Sequence, residues 1–353
     1  MSKIVLDAVG GDHAPTEAVL GVARAVNNGH VTADQVVLTG PEEMIRAALA
    51  EHAGELGGGA DQIEVVDAPD VLTSDDSPTD ALRKKARNSI AIGIKLVKEG
   101  HAGAFVSAGS TGTVVAAATL GLRCLEGIRK AAIAAIIHGE KHPFLVLDVG
   151  ANPMPKAHHL AQFALMGSAY YGGTFGIEEP LVGILNIGSE DQKGNTLVRE
   201  ARALMKEMPI RFHGNVEGVE VFSGDCHVIV TDGFSGNVLL KVSEGVAEYL
   251  LRATFGEMKK AGVDGRHIQA VHEAIMPRVD FSEYGGALLL GVEGIVTICH
   301  GRSRAPAFAN ALRFANRALN AKVNEHIVQA ASSVSLKNGD ASSGGVTNGQ
   351  PNG

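Results

Sequence analysis

Five short glycine-rich segments each follow an apolar run of strand-forming residues, and polar side chains stand between the glycines. The segments lie at residues 7–15, 107–112, 148–153, 186–195 and 231–237. Glycine lets backbone N–H groups approach a ligand closely, and a helix that follows such a loop presents the positive end of its dipole there. Hydroxyl and amide side chains add neutral hydrogen-bond donors. This chemistry suits an anion such as phosphate.

These loops can act together only if the fold brings them to one place. In an open parallel sheet, ligands bind at the carboxyl ends of the strands, so we expect all five loops to meet at one rim of the sheet. Any single loop is better explained as a tight turn that needs a positive φ, and only the recurrence of the pattern favours a binding site. None of the loops matches the dinucleotide pattern G-x-G-x-x-G or the Walker pattern.

Three side chains in these loops are candidate catalytic or anion-binding groups. Lys193 precedes Gly194 in the fourth loop, where it could clamp a phosphate or stabilise an oxyanion, or be an exposed loop lysine. Asp232 ends an apolar run and precedes a helical pattern, so it is a candidate proton acceptor and equally a candidate N-cap. His13 could contact an anion, cap a helix or be solvated.

The composition narrows the class of protein. Aromatic residues make up 4% of the 353 residues, Trp is absent and the net charge is −8, which argues against a nucleic-acid-binding protein. The three cysteines form no C-x-x-C pair, so they predict reduced thiols rather than disulfides or a zinc site. The 14 histidines form no H-E-x-x-H motif. No metal site is expected, although a Mg²⁺ held by one or two carboxylates stays open.

Apolar runs alternate with helical patterns along most of the chain, which predicts an α/β fold with a mostly parallel sheet between helices. The predicted strands cover residues 4–8, 36–39, 63–66, 104–107, 133–137, 144–149, 182–186 and 228–231. One helix is expected at 77–97, and a helical hairpin protrudes at about 240–276. We expect a single catalytic domain at 1–331 and a disordered tail rich in Gly, Ser and Asn at 332–353.

One uncharged stretch, at 102–122, is long enough for a membrane span. Its Gly, Ser and Thr content favours a buried strand, loop and helix instead. The first residues contain no apolar signal segment. We therefore expect a soluble, cytoplasmic protein.

The glycine loops and several further motifs resemble the bacterial phosphate acyltransferase family of phospholipid synthesis. The matching segments are DAVGGDHAP at 7–15, VSAGSTG at 106–112, LDVGAN at 147–152, LNIGSEDQKGN at 185–195, NVEG at 215–218, TDGFSGN at 231–237, YGGA at 284–287 and CHG at 299–301. Each is weak alone, but together they are highly specific and run in family order from residue 4 to about 320.

The resemblance implies a three-layer α/β/α, Rossmann-like fold related to isocitrate dehydrogenase. It implies an enzyme that converts long-chain acyl-[acyl-carrier protein] and inorganic phosphate to acyl phosphate and free carrier protein, the first step towards lysophosphatidate, without a cofactor. It also implies a homodimer, peripheral membrane contact and transfer of acyl phosphate to a membrane acyltransferase that uses glycerol 3-phosphate.

Phosphate itself is the nucleophile in this reaction, so the protein must position it and stabilise the oxyanion. We expect Lys193, Asp232 and His13 to be catalytic, with Lys193 neutralising the developing charge and Asp232 orienting it or accepting a proton. The expected phosphate- and substrate-binding residues are Gly10, Gly11, Asp12, Ser110, Thr111, Asn152, Asn195, Gly233, Ser235 and Asn237.

An acidic carrier protein needs a local basic patch on a chain with net negative charge. Arg83 and Arg87 are expected to flank the apolar stripe of their helix and to dock the carrier, with a solvated helix face as the alternative. Other basic residues could serve instead: Arg252, Lys259, Lys260, Arg266, Arg302 and Arg304. The hairpin mixes apolar and basic residues, which suits an acyl groove, membrane contact or dimer packing.

The chain departs from the family pattern at three places. Residues 153–155 read Pro-Met-Pro, Arg302 and Arg304 stand where Ser and Asp are common, and Leu288 replaces a proline. These departures affect the rim and the dimer contacts rather than the reaction. Three other functions stay open: a metal-dependent, NAD-linked decarboxylating dehydrogenase, a non-catalytic sensor of an anionic metabolite, and a phosphate acetyltransferase acting on acetyl-CoA.

Overall fold

The computed structural model describes residues 2–73, 76–279 and 281–334. Of the tail predicted at 332–353, residues 335–353 lie outside the described residues. Within these ranges, eleven strands form one sheet. They are β1 (Ile4–Asp7), β2 (Val36–Gly40), β3 (Glu64–Asp67), β4 (Ala104–Ser107), β5 (Ala132–His138), β6 (Pro143–Leu147), β7 (Leu181–Asn186), β8 (Arg211–Glu217), β9 (Val228–Val230), β10 (Ala287–Leu290) and β11 (Ile295–Ile298).

All eight predicted strands are present, within one or two residues at most ends. Most are buried along their whole length, as in β1, β2 and β4, because helices cover both faces of the sheet. β8, β10 and β11 were not predicted from the sequence. β8 is an edge strand with exposed polar residues, whereas β10 and β11 are only four residues long.

The sheet consists of two parallel blocks that run in opposite directions. The strand order is β3-β2-β1-β4-β11-β10-β5-β6-β9-β7-β8. β3, β2, β1, β4 and β11 are parallel to one another, and so are β6, β9, β7 and β8. The central pairs β11–β10, β10–β5 and β5–β6 are antiparallel. The prediction of a mostly parallel sheet is confirmed.

The prediction that all five glycine loops share one rim is wrong. The strands of the two blocks point in opposite directions, so their carboxyl ends lie at opposite rims. The loops after β1 and β4 are at one rim, and the loops after β6, β7 and β9 are at the other. The physical reason is the connection between β5 and β6. Only residues 139–142 join these strands, which is too short for a parallel crossover.

The described part of the chain contains eleven α-helices, most of which form a layer on one or the other face of the sheet. They are α1 (Thr16–Asn27), α2 (Glu42–Glu51), α3 (Pro78–Lys84), α4 (Ser89–Lys98), α5 (Thr111–Gly121), α6 (Ala157–Phe175), α7 (Thr196–Lys206), α8 (Gly233–Lys260), α9 (Gly265–Val279), α10 (Ala305–Asn320) and α11 (Val323–Ser332). Ile4 and Leu6 belong to the core under α1, α6 and α10, whereas Val5 belongs to the core under α4 and α5. The α/β/α prediction is confirmed.

The single helix expected at 77–97 is two helices, α3 and α4. Asn88 ends the turn between them, because its side chain accepts the Ala91 N–H at 2.8 Å and its amide donates to the Lys85 carbonyl at 2.6 Å. Arg83 therefore lies on α3, whereas Arg87 lies in the turn. The expectation that both arginines flank the apolar stripe of a single helix is wrong.

The helical hairpin is formed by α8 and α9. α8 (Gly233–Lys260) and α9 (Gly265–Val279) together cover the region in which the hairpin was expected, about 240–276. The apolar residues of α8 are largely exposed in the single chain, for example Val242 and Leu250. None of the helices in the described ranges has the length and apolar character that crossing a membrane requires.

Candidate active site

A cavity of about 590 Å³ lies over the central strands, between α5 and α8. Its apolar floor comes from β5, β10 and β11, with Ile133, Ala135 and Ile298 among the lining residues. The first turn of α5 contributes Thr111 from one side, and the second turn of α8 contributes Asn237 from the other. The cavity thus joins the two blocks of the sheet.

The loops after β1 and β4 pack against each other at one end of this cleft. The buried Asp7 carboxylate accepts the Gly10 N–H at 3.0 Å and the Ser107 hydroxyl at 2.7 Å. A Cβ on Gly10 would lie 2.8 Å from the Gly109 nitrogen, so only glycine permits this approach. Burial raises the pKa of Asp7. Asp7 therefore ties the two loops together.

The next residues of the first loop reach the segment after β11. The Asp12 N–H donates to the Gly301 carbonyl at 2.8 Å. Gly11 has a φ of +94°, and a Cβ there would lie 2.9 Å from the same carbonyl oxygen. His13 is half-buried at the start of α1, where its carbonyl accepts the Glu17 N–H. The first loop thus packs beside residues 300 and 301.

The α5 N-terminus is open towards the cavity. Ser110 precedes the helix but its side chain makes no capping hydrogen bond. Ser110 and Thr111 are both exposed, and the first N–H groups of a helix have no partner within it. Because the positive end of the helix dipole lies there too, this turn can bind an anion.

The loop after β6 is organised around the fully buried Asp148. Its Oδ1 accepts N–H groups of Ile133, Gly150 and Ala151 at 3.0–3.1 Å. Its Oδ2 accepts the Asn152 backbone N–H at 2.7 Å and the Asn152 side-chain amide at 2.9 Å. One carboxylate therefore shapes a loop whose residues Gly150 and Ala151 line the cavity.

Asn152 is held inside the structure by this network. Its side-chain amide donates to the Ala131 carbonyl at 2.7 Å as well as to Asp148, so both amide hydrogens have partners. Its carbonyl accepts the Gly233 N–H at 2.8 Å. Asn152 thus connects the β6 loop to the start of α8, and it supports the cavity wall rather than lining it.

Asp232 is the N-cap of α8. Its Oδ1 accepts the Ser235 N–H at 2.9 Å, and the Ser235 hydroxyl donates to its Oδ2 at 2.7 Å. The capping alternative considered for Asp232 is therefore the role seen in the structure. A Cβ on Gly236 would lie 1.9 Å from the Asp148 carbonyl oxygen, so α8 packs directly on the β6 loop.

Lys193 and Asn195 lie in the loop between β7 and α7. Asn195 caps α7, since its side chain accepts the Val198 N–H at 2.9 Å. The Lys193 side chain is 45% exposed, and its ammonium nitrogen lies 3.9 Å from a Glu190 carboxylate oxygen. The lining of the central cavity includes Thr111 and Asn237 but neither Lys193 nor Asn195.

Four polar residues of the cavity were not among the predicted site residues: Lys241, Glu244, His300 and Ser303. Lys241 lines it from α8 and pairs with Glu244 at 2.8 Å. His300 follows β11, and its Nδ1 accepts the Arg302 N–H at 3.1 Å, which leaves the proton of the neutral ring on Nε2. Burial, with the nearby charges of Lys241 and Arg302, lowers the pKa of His300. The only sequence signal was the CHG motif at 299–301.

No group of three or more His, Cys, Asp or Glu side chains within the described ranges is placed to hold a metal ion.

Comparison with known proteins identifies the family. Residues 2–326 match a family model described as "Fatty acid synthesis protein". A phosphate acyltransferase from Heliobacterium modesticaldum is 44% identical over 332 residues, covering 92% of this chain and 97% of the relative. A phosphate acyltransferase from Dictyoglomus thermophilum is 40% identical over 337 residues, covering 94% and 98%. The chain belongs to the phosphate acyltransferase family.

This phosphate acyltransferase family member shares its fold with more distant enzymes. A phosphotransacetylase from Streptococcus pyogenes aligns with a TM-score of 0.61 at 18% identity, covering 90% of this chain and 94% of that one. A 4-hydroxythreonine-4-phosphate dehydrogenase from Klebsiella pneumoniae aligns with a TM-score of 0.52 at 14% identity, covering 93% and 99%. These likenesses show the fold alone. The family membership confirms the expectation of an acyltransferase.

Proposed function

We propose that the protein transfers a long-chain acyl group from acyl-[acyl-carrier protein] to inorganic phosphate in the central cavity. The observation that carries this proposal is the composition of that cavity. It combines the open N-terminus of α5 and the polar side chains of Asn237, Lys241 and His300 with an apolar floor. The polar side suits phosphate, and the floor suits the acyl chain next to its thioester.

The reaction needs a bound nucleophile and a stabilised oxyanion, not a side-chain nucleophile. A phosphate oxygen attacks the thioester carbonyl carbon, the tetrahedral oxyanion collapses, the C–S bond breaks and the carrier thiolate leaves. In our proposal the α5 N–H groups, Ser110 and Thr111 hold phosphate. The neutral His300 donates a hydrogen bond from its Nε2–H to the developing oxyanion and keeps this proton. The carrier thiolate that leaves takes its proton from solvent.

Of the other proposed site residues, some hold the loops around the cavity in place and others lie farther from it. Asn152, Gly233 and Ser235 keep the β6 loop and α8 in place, and Gly10, Gly11 and Asp12 do the same at the opposite end. The proposed charge-neutralising role of Lys193 requires its loop to approach the cavity when substrate binds. For Asp232, proton acceptance would have to coexist with capping α8. For His13, an anion contact is proposed next to Asp12.

A homodimer is part of the proposal. Phe234, Val238, Val242, Val246 and Leu250 are between 47% and 67% exposed, and they recur every four residues along α8. Helical residues four apart are neighbours on the helix surface, so the five form an apolar stripe that winds partly around the helix. An exposed stripe of this length is typical of a surface that a partner covers. A second copy of the chain is the partner we propose.

The acyl phosphate product is proposed to pass to a membrane acyltransferase that uses glycerol 3-phosphate. This transfer favours peripheral membrane contact, which we propose for the tip of the hairpin, where Lys259, Lys260 and Arg266 are exposed. Sedimentation with vesicles that contain anionic lipid tests this contact. If the same amount of protein sediments with neutral vesicles, the basic residues do not contribute to the contact.

A chemical trap tests the reaction. The purified protein is incubated with palmitoyl-[acyl-carrier protein] and phosphate, and hydroxylamine converts any acyl phosphate to a hydroxamate. We expect hydroxamate only when phosphate is present, together with release of the free carrier thiol. Acetyl-CoA in place of the long-chain donor tests the phosphate acetyltransferase alternative. Absence of hydroxamate with every acyl donor would reject the proposal.

A further inference from the structure

A second cavity, of about 850 Å³, lies between the helical hairpin and the start of α10. We call it the hairpin groove. The pair Phe255 and His272, with ring centres 5.5 Å apart, joins α8 to α9 beside it. His300, Ser303 and Ala307 line both this groove and the central cavity. The groove therefore adjoins the proposed reaction site.

The groove has an apolar wall and a basic rim. Leu251, Phe255 and Ala307 are among its apolar lining residues. Its charged lining residues are Arg252, Lys259, Arg302, Arg304, Glu244 and Glu248. Cations thus outnumber anions here, on a chain whose net charge is −8.

Most of these charges are already paired within the chain. Arg304 lies 3.0 Å from Glu17, Arg252 lies 3.7 Å from Glu248, and Glu244 binds Lys241. Among the described residues, no ion pair involves Lys259 or Arg302. Both side chains are exposed, so the rim carries two positive charges available to a partner.

The basic run at 83–87 differs from this rim. Lys84 lies 3.1 Å from Asp80, Lys85 lies 2.6 Å from Asp76, and Arg87 lies 3.2 Å from Asp67. Neighbouring carboxylates therefore neutralise most of the run. None of its residues lines the central cavity or the hairpin groove.

We propose that the hairpin groove is the docking surface for the acidic carrier protein, with Lys259 and Arg302 facing its carboxylates. The inference rests on the proposed function and replaces Arg83 and Arg87 as the docking site. Opposite charges at the rim orient the carrier. Its flexible thioester-bearing arm then follows the apolar wall past His300 into the central cavity.

Charge reversal at the rim tests the proposal. Arg302→Glu and the double variant Lys259→Glu/Arg302→Glu are compared with Arg83→Glu, a matched single reversal on α3. Binding of fluorescently labelled holo-carrier protein is measured by anisotropy at low and physiological salt. We expect the double variant to raise Kd about tenfold and to weaken the salt dependence, because the attraction becomes repulsion. Arg83→Glu should leave Kd within about twofold of the wild-type value.

A carrier-free substrate separates docking from chemistry. Turnover of a palmitoyl thioester of pantetheine, even if slow, should be the same in the wild type and in Lys259→Glu, because the Lys259 charge is not among those that shift the pKa of His300. Unchanged carrier Kd in the double variant, or a larger loss in Arg83→Glu, would overturn the proposal. Carrier binding without acyl phosphate formation would reject the proposed function while leaving the docking surface intact. If a reversal prevents folding, Arg302→Ser and Lys259→Ala provide the same comparison with smaller expected effects.

Discussion

Asp148→Asn is the substitution whose cost follows most directly from the structure. The Asp148 carboxylate accepts five hydrogen bonds while its side chain is fully buried. An asparagine can keep its oxygen towards the three N–H groups at Oδ1. Its amide nitrogen then faces the two Asn152 donors that Oδ2 accepts, so those two bonds are lost. Hydrogen bonds to a charged group contribute about 1.5–3 kcal/mol each, so the expected loss in free energy of unfolding is about 3–6 kcal/mol.

Equilibrium unfolding in urea, followed by far-UV circular dichroism, measures this loss. The control is Asp34→Asn, which makes the same chemical change at an exposed position and should shift the stability by less than about 0.5 kcal/mol. The β6 loop also lines the central cavity, so Asp148→Asn should raise the KM for phosphate of the protein that remains folded. A loss of less than about 1 kcal/mol would refute the view that this carboxylate organises the loop.

Three further predictions concern other residues of the site and the core. Lys193→Ala should lower kcat/KM by about 10²-fold with folding intact if the lysine stabilises the oxyanion, and near-normal turnover would remove it from the mechanism. Asp232→Ala should cost about 1 kcal/mol of thermal stability, whereas Asp232→Asn should retain the cap; loss of turnover in a stable Asp232→Asn variant would show that the carboxylate also accepts a proton. Burial and the neighbouring His158 lower the pKa of His159 from 6.5 to about 4. Stability from the neutral His159 ring is therefore present above pH 6.5 and is lost as pH falls towards 4. In His159→Gln, the urea midpoint of unfolding should change less between pH 6.5 and pH 4 than in the wild type.

Local sequence patterns predicted the sheet well because most strands are buried on both faces. β1, β2 and β4 are continuous apolar runs bounded by polar or glycine residues, a pattern that two covering helix layers require. β8 was not predicted because it is an edge strand, in which polar residues such as Arg211 and His213 are exposed to solvent. α3 and α4 were merged because their apolar residues continue the same spacing, although Asn88 is a good N-cap that marked the break.

The site was predicted in its parts but not in its assembly. Thr111 and Asn237 line the cavity, and Asp232 is a helix cap, the alternative that its position before a helix also indicated. Asn195 is a helix cap as well, a role that was not predicted for it. Lys241 was missed because a lysine on a long helix has no distinctive local pattern. The CHG motif marked His300 as part of a family segment but did not indicate that it lies in the cavity. Only the fold brings them to the cavity.

The direction of the strands is what joins these parts into one cleft. Periodicity shows where a strand lies but not which way its neighbours run, so the two sets of glycine loops could not be separated by pattern alone. The decisive feature was the four-residue connection at 139–142, which forces β5 and β6 to be antiparallel. That reversal sends the loop after β6 and helix α8 back across the central strands, opposite the N-terminus of α5. A uniformly parallel sheet would place all five loops at one rim and leave the apolar central strands without a cavity between two helices.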